Sequence, residues 1–511
     1  MSNKASTSLH KLIHSLSKAE KRYFKVYTSR NAAGSENAYH KLFNAIDRQK
    51  VYDEDALMKK FAKEAFVNRF SITKNRLYSS ILKSLDAYHS TSSLDPQIHR
   101  QLHYVEILFK KSMYDESRKL LNSAKKQALK HERIHLLSEI NRWDKLLMEK
   151  GSYITLGKKE LKQILVEDLA LLQKEAVYNE IWYAKSRIFR TLYKRGHARS
   201  KEDVARFKKI IKDLKVTASK AESTAASQFL YQHAMSAYHY ALGEYLKSYR
   251  LLNKNLELIK EQNHLFRDEP NLYFTVLTNV INVAMKLGKT DAALQHLDEL
   301  EELPSTELMN QGEDTDIRIF GIAGCTKLAL FAQSGEFEKG VAILPEIEDG
   351  LIKYQDKLSS VRKATFYFNI AVILFGMNQK NEALKWINQL LNHVEFNHTE
   401  DIQCMAQMLN LVLHIELGNK ALLPYALKST QRFLESRRKV YRFEEVFLRF
   451  VNEMMKKRQA KSENELFQDL LVDLQELKQD PLELAVYEYF NFEAWVKSRL
   501  SGTTYAEEHR G

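Results

Sequence analysis

The sequence predicts an all-α protein: a right-handed α-solenoid of stacked helical hairpins over residues 97–435, with an N-terminal helical module before it and a helical cap after it. Three observations predict this. Helix-breaking residues are scarce, one turn pattern recurs every 43 to 47 residues in its clearest stretch, and helix starts are legible within the first 92 residues.

The 511 residues include 6 prolines and 16 glycines, where average usage would give about 26 and 36. Proline removes a backbone donor and clashes with the preceding turn, and glycine carries a backbone-entropy cost, so helix interiors exclude both. Between Pro96 and Pro270 there is no proline at all. Long helices joined by short turns account for the deficit. A hydrophobic content of 44% with 28% charged residues is that of an ordinary folded chain.

Residues 1–92 form the first element. Ser17-Lys18-Ala19-Glu20 is a capping box, in which the serine hydroxyl and the glutamate each satisfy a backbone N–H at the helix start, and it opens a helix over 18–29. Further helices are expected over 36–49, 55–65 and 73–89. The polar run from Ser90 to Pro96 reads as a linker and places the domain boundary there.

This element is basic, with 17 Lys and Arg against 8 Asp and Glu in residues 1–90, a net +9 of the chain's +13. A basic module joined to a nearly neutral remainder is the asymmetry that polyanion binding uses. The helices over 55–65 and 73–89 suggest a helix-turn-helix whose second member presents Lys74, Asn75, Arg76 and Tyr78 to nucleic acid. Their eight-residue connection, Lys63 to Phe70, is longer than the usual turn. The alternative is that these helices cap the first repeat and their basic residues form a solvated face.

The solenoid rests on a four-position pattern: an apolar residue, a turn residue five later, a small residue five beyond, and an apolar residue four further on. Ile107/Ser112/Ser117/Leu121, Tyr238/Gly243/Ser248/Leu252 and Val283/Gly288/Ala293/Leu297 fit it. So do Leu330/Gly335/Gly340/Leu344 and Ile373/Asn378/Ala383/Ile387. In each copy one helix ends at the turn residue in a left-handed cap and a second starts at once. The small residue lets the two helices approach closely. Weaker turns are expected near Gly151, Gly196 and Gly418, although Lys201 and Leu423 replace the small residue. Pro345 should shorten or kink the second helix of its copy.

Gly243-Glu244-Tyr245-Leu246-Lys247-Ser248 and Gly335-Glu336-Phe337-Glu338-Lys339-Gly340 resemble the tetratricopeptide repeat family, whose second helix opens with a turn glycine, an aromatic and a small residue. Turn spacings of 45, 47 and 43 residues depart from the 34 of that family. The resemblance implies a solenoid with an extended groove for a protein or peptide segment. The layout also resembles bacterial regulators that join an N-terminal DNA-binding or response-regulator-binding module to a tetratricopeptide peptide sensor.

A cap over residues 436–500 should hold helices over 436–459 and 464–478, and a last one opening at Asp480-Pro481 that carries Tyr487, Tyr489, Phe490, Phe492 and Trp495. Residues 501–511 are expected to be a disordered tail.

His131-Glu132-Arg133-Ile134-His135 matches the HExxH zinc-protease pattern, which needs two histidines one turn apart on a helix. With His99 and His103, also four apart, it suggests four imidazoles level across a hairpin and a remote alternative of a metal-dependent hydrolase, but a seam of boundary histidines is the simpler reading and the charged Arg133 does not suit the motif. Gly321 to Lys327 lacks P-loop spacing, and there is no nucleophile elbow or dinucleotide fingerprint. No cofactor and no enzymatic activity are expected. Cys325 and Cys404, 79 residues apart, read as buried apolar residues in a reducing compartment. No apolar stretch reaches the roughly 20 residues of a membrane span, so a cytoplasmic protein without a membrane partner is expected.

Overall fold

The computed structural model describes residues 7–29, 36–89, 93–151, 153, 157–267, 269–303, 313–355, 357–392, 400–437, 440–456, 461–480, 483, 486–487 and 489–511. Among them all regular structure is helical. The chain divides into two compact units, residues 1–165 and 166–511. The division falls inside a long helix, not in the polar run at 90–96 where the sequence suggested it. Residues 90–92 lie outside the described set, and Leu94 to Pro96 already form the first turn of a helix.

The first unit opens with α1 (Ser8–Ser15), α2 (Lys18–Ser29), α3 (Glu36–Asp47), α4 (Glu54–Lys60) and α5 (Phe70–Tyr88), with a 3-10 turn at Ala65–Arg69. Both halves of the capping box form: the Ser17 N–H donates to Glu20 Oε2 at 2.7 Å and the Glu20 N–H to Ser17 Oγ at 3.2 Å. These helices share a core of their own, running from Leu9 and Ile13 through Phe24, Phe43 and Ile46 to Leu77 and Ile81. Next come α6 (Leu94–Lys110), α7 (Tyr114–Lys130) and α8 (Ile134–Lys150), each packed on its predecessor in that series. The unit ends within α9 (Lys158–Arg195).

The second unit continues with α10 (Lys201–Asp213), the short α11 (Ala218–Ala221), α12 (Ala225–Ala241), α13 (Tyr245–Glu261), the short α14 (Asn263–Phe266), α15 (Pro270–Lys286) and α16 (Thr290–Glu302). Then follow α17 (Glu313–Ser334), α18 (Phe337–Ala342), α19 (Leu344–Lys353), α20 (Ser360–Gly376), α21 (Lys380–Asn392), α22 (Glu400–Glu416) and α23 (Leu423–Arg437). Last are α24 (Arg442–Met454), α25 (Glu463–Leu477), α26 (Phe492–Ser501) and α27 (Tyr505–Arg510). Packing runs along the chain, α12 on α13, α13 on α15, α15 on α16, α20 on α21, α21 on α22 and α22 on α23.

The five aligned turn residues share one geometry. Ser112, Gly243, Gly288, Gly335 and Asn378 all take positive φ, between 60° and 74°. In each turn the following N–H reaches back to the carbonyl five residues earlier: Met113 to Leu108, Glu244 to His239, Lys289 to Ala284, Glu336 to Phe331 and Gln379 to Leu374, at 2.8–3.0 Å. That is the Schellman closure, which satisfies carbonyls the helix end leaves open. Gly196 and Gly418 also take positive φ, whereas Gly151 does not and Tyr153 does.

The small residues Ser117, Ser248, Ala293, Gly340 and Ala383 are buried at the helix contacts. A Cβ at Gly340 would lie 2.4 Å from Ile373 Cδ1, so this contact is too close for any side chain. Ile107 departs from the pattern and is exposed; Val105, two residues earlier, is buried, and its carbonyl accepts from Ser117 Oγ. Pro345 breaks the second helix of its copy into α18 and α19.

At the C-terminal end the helix expected to open at Asp480-Pro481 lies partly outside the described residues; α26 starts after its N-cap Asn491, so Tyr487, Tyr489 and Phe490 precede it. Residues 501–511 are not a disordered tail: Thr504 and Glu507 form a capping box for α27, and Tyr505 is buried against Phe337, Phe375 and Phe490. Arg510 Nε donates to the Gly335 carbonyl at 2.7 Å, tying this helix to the turn between α17 and α18.

Candidate functional site

The four residues suggested for nucleic acid sit on the first turns of α5 with different surroundings. Lys74 points inward: its Nζ lies 2.5 Å from Glu54 Oε2 and over the rings of Tyr52 and Phe70. Burial raises the Glu54 carboxyl, but hydrogen bonds from Lys74 and Tyr52 outweigh it and hold the pKa below the ordinary value. Tyr78 packs on the core of this module. Asn75 and Arg76 are exposed.

HExxH does not occupy a helix. His131 is the C-cap of α7, Glu132 takes φ 49° in the turn, and His135 belongs to α8, so the two histidines are not one turn apart on a single face. His135 Nε2 lies 3.5 Å from Asp95 Oδ2, and His103 Nδ1 lies 3.4 Å from Glu106 on its own helix α6. Among the described residues no group of three or more His, Cys, Asp or Glu could hold a metal ion. The sequence matched the pattern because a Schellman turn happens to carry a glutamate. Cys325 and Cys404 are buried and unbonded to each other, and burial pushes the Cys325 thiol up to about 12. No described helix is long and apolar enough to cross a membrane.

In the second unit a cavity of about 430 Å³ draws its walls from six long helices, the turn after α9 and Tyr489. Phe189, Leu192 and Tyr193 come from α9, His233, Ser236 and Tyr240 from α12, and Asn279 and Asn282 from α15. Val361 and Thr365 of α20, Asp401 of α22 and the turn residue Gly196 add to it. Ser248 and Leu252 of α13 line it as well. The volume falls in the range of ligand-sized pockets, about 300–1,000 Å³, and apolar walls with a few polar groups are the usual composition of such sites.

Three local features set its geometry. Asp401 packs on the bare backbone of Gly196, where a Cβ would lie 1.6 Å from Oδ2, so the left-handed turn at φ 74° is needed both for its conformation and for this contact. Arg199, just past that turn, donates from Nη1 to Glu444 Oε1 at 2.6 Å and from Nη2 to Glu444 Oε2 at 3.0 Å and Glu483 Oε2 at 2.7 Å. Burial disfavours the guanidinium charge, yet the two carboxylates outweigh it and raise the pKa. The third feature is His233, buried on α12, with Nε2 3.3 Å from Asn279 Nδ2. Burial, with the Lys185 charge adding to it, lowers this imidazole to about 4 and keeps it neutral.

Two further cavities differ in their charges. The one between α24 and α25, about 500 Å³, has its ions paired, Arg449 with Asp473 at 2.7 Å and Lys461 with Asp469 at 2.5 Å. The other, about 420 Å³, is lined on α16, α17 and α19 by several acidic residues, with Lys327 paired to Glu301 at 2.6 Å.

Sequence reasoning did not reach His233, Asn279, Asn282 or Asp401, because the cavity is assembled from helices far apart in the chain. A signal was present: His233 with Ser236, and Asn279 with Asn282, are polar pairs one turn apart on their helices. Compared with known proteins, the chain matches no family model and no curated sequence.

Proposed function

We propose that the chain is a non-enzymatic binding scaffold in which the paired helices stack as a right-handed, tetratricopeptide-like α-solenoid and an extended protein or peptide segment lies in its groove. The observation that carries this reading is the cavity at His233: four of its walls are α12, α15, α20 and α22, each the first helix of a pair closed by a left-handed turn. Stacked pairs of this kind present their first helices on one concave surface, and such surfaces take extended segments.

Selection of a random-peptide display library on the full-length chain tests it. Enriched peptides should lose binding when Val361, an exposed residue of the cavity wall, is replaced by tryptophan. Peptides that bind Val361→Trp as well as wild type, or a library without enrichment, sink the reading.

A second reading, a transcriptional regulator whose first module binds DNA, is favoured by the +9 charge of residues 1–90 and by the exposed Asn75 and Arg76. The inward Lys74 counts against it. Duplex binding by the full chain should then fall steeply between about 50 and 200 mM salt and weaken further in Arg76→Glu.

A further inference from the structure

His233 is 5% exposed, and its hydrogen-bond arithmetic is incomplete. The Asn279 Nδ2 beside its Nε2 can only donate, so Nε2 accepts. In the neutral ring the hydrogen then sits on Nδ1. Among the described residues Nδ1 has no partner. A buried donor left in that state is unfavourable.

Ser248 repeats the situation on the next helix. At the matching repeat position, Ser117 Oγ donates to the Val105 carbonyl twelve residues back. The Ser248 hydroxyl, also buried, makes no such bond. Two polar groups without partners therefore lie on the lining of the same cavity. The His233 N–H lacks an acceptor oxygen, and the Ser248 hydroxyl can donate or accept.

The rest of the lining says what kind. Among the described residues no lysine or arginine lines this cavity, and a carboxylate, Asp401, already stands on its wall. Lys185, whose charge acts on His233, lies over the Phe189 ring. An uncharged carbonyl fits and a carboxylate does not. The volume exceeds what a carbonyl fills, and Phe189, Leu192 and Tyr240 make the remaining wall apolar. Asn282, exposed one turn beyond Asn279, adds a carboxamide that can both donate and accept.

We propose that this cavity is the anchor point of the bound segment, taking one large apolar or aromatic side chain of an extended peptide against Phe189 and Tyr240 while a neighbouring backbone carbonyl oxygen accepts the hydrogen of His233 Nδ1. The inference rests on the peptide-binding reading above and adds the anchor and its acceptor.

The test uses the peptides enriched on the full-length chain, resynthesised singly. Replacing the anchor residue by alanine, or reducing the adjacent carbonyl to a methylene, should weaken binding by about tenfold or more, as removal of a buried hydrogen-bond partner does. His233→Phe should weaken the parent peptide to the same degree and leave the carbonyl-reduced peptide unchanged. Should His233→Phe fail to fold, the reduced peptide on wild type decides alone. Peptides that depend on Val361 but are indifferent to carbonyl reduction overturn this inference and leave the groove reading standing. Peptides indifferent to Val361→Trp remove both.

Discussion

Arg199 and Glu444 are 245 residues apart in sequence and form a two-pronged ion pair in the interior of the second unit, with Tyr441 stacked over the guanidinium at 4.2 Å. Glu483 completes the group and also accepts from the Arg442 and Phe443 N–H groups. The turn before α10 is thereby held to the start of α24, and the cavity wall at Gly196 and Asp401 lies directly beside this clamp.

Removing one partner of a buried pair leaves the other charge uncompensated. Arg199→Met should lower stability by about 3–5 kcal/mol, read as a shift of the thermal midpoint of the full chain. Adding Glu444→Gln and Glu483→Gln should recover most of the loss. A single mutant as stable as wild type contradicts the clamp.

The neutral, buried His233 sets a pH dependence. Its folded pKa of about 4 lies below the ordinary 6.5, so the unfolded chain takes up the proton first as the pH falls. Stability is complete above about pH 6.5 and declines from there toward pH 4, by up to about 3 kcal/mol from this group. Among the described residues Tyr193, His197, Tyr240, Asp401 and Tyr489 on the lining, with Lys185 beside Phe189, are the other titratable groups around it. Denaturant unfolding at pH 7 and pH 4.5 should show a smaller difference in His233→Phe than in wild type.

Turn geometry separates two classes of substitution. Ser112→Gly and Asn378→Gly relieve residues held at φ 60° and 61° and should stabilise by about 0.5–1 kcal/mol. Gly340→Ala, at the helix contact against Ile373, should destabilise by about 1–3 kcal/mol through overpacking. Thermal melts of the three variants suffice, and equal signs for all of them would contradict the repeat geometry.

Tyr505→Ala removes a ring packed on Phe337, Phe375 and Phe490 and should cost about 3–5 kcal/mol. Loss of α27 should also speed amide hydrogen exchange in residues 333–338, whose carbonyls at Gln333 and Gly335 are bonded to His509 and Arg510. Unchanged exchange there would show that the last helix holds nothing in place.

The periodic features were legible in the sequence because one residue carries each of them. A left-handed turn needs Gly or Asn, a close helix contact needs Ser, Ala or Gly, and the five copies could be aligned on those demands. Ser112 shows that the spacing identified the turn even where the residue type was poor. The site was not legible, since His233, Asn279 and Asp401 meet only through the packing of three helices. HExxH misled for the converse reason: a local match says nothing about whether a helix continues through it, and here the chain turns at Glu132. The aromatic segment before α26 and the final helix were misread because their burial depends on α17 to α20 and α25, which no local pattern announces.

The contacts of α27 also order events in time. As the chain is synthesised, α17 and α18 emerge long before residues 505–510, and Phe337 and Phe375 must wait for the ring that covers them. Packing around these rings is thus complete only once the last helix has been made, and an arrested nascent chain would expose that aromatic surface to chaperones.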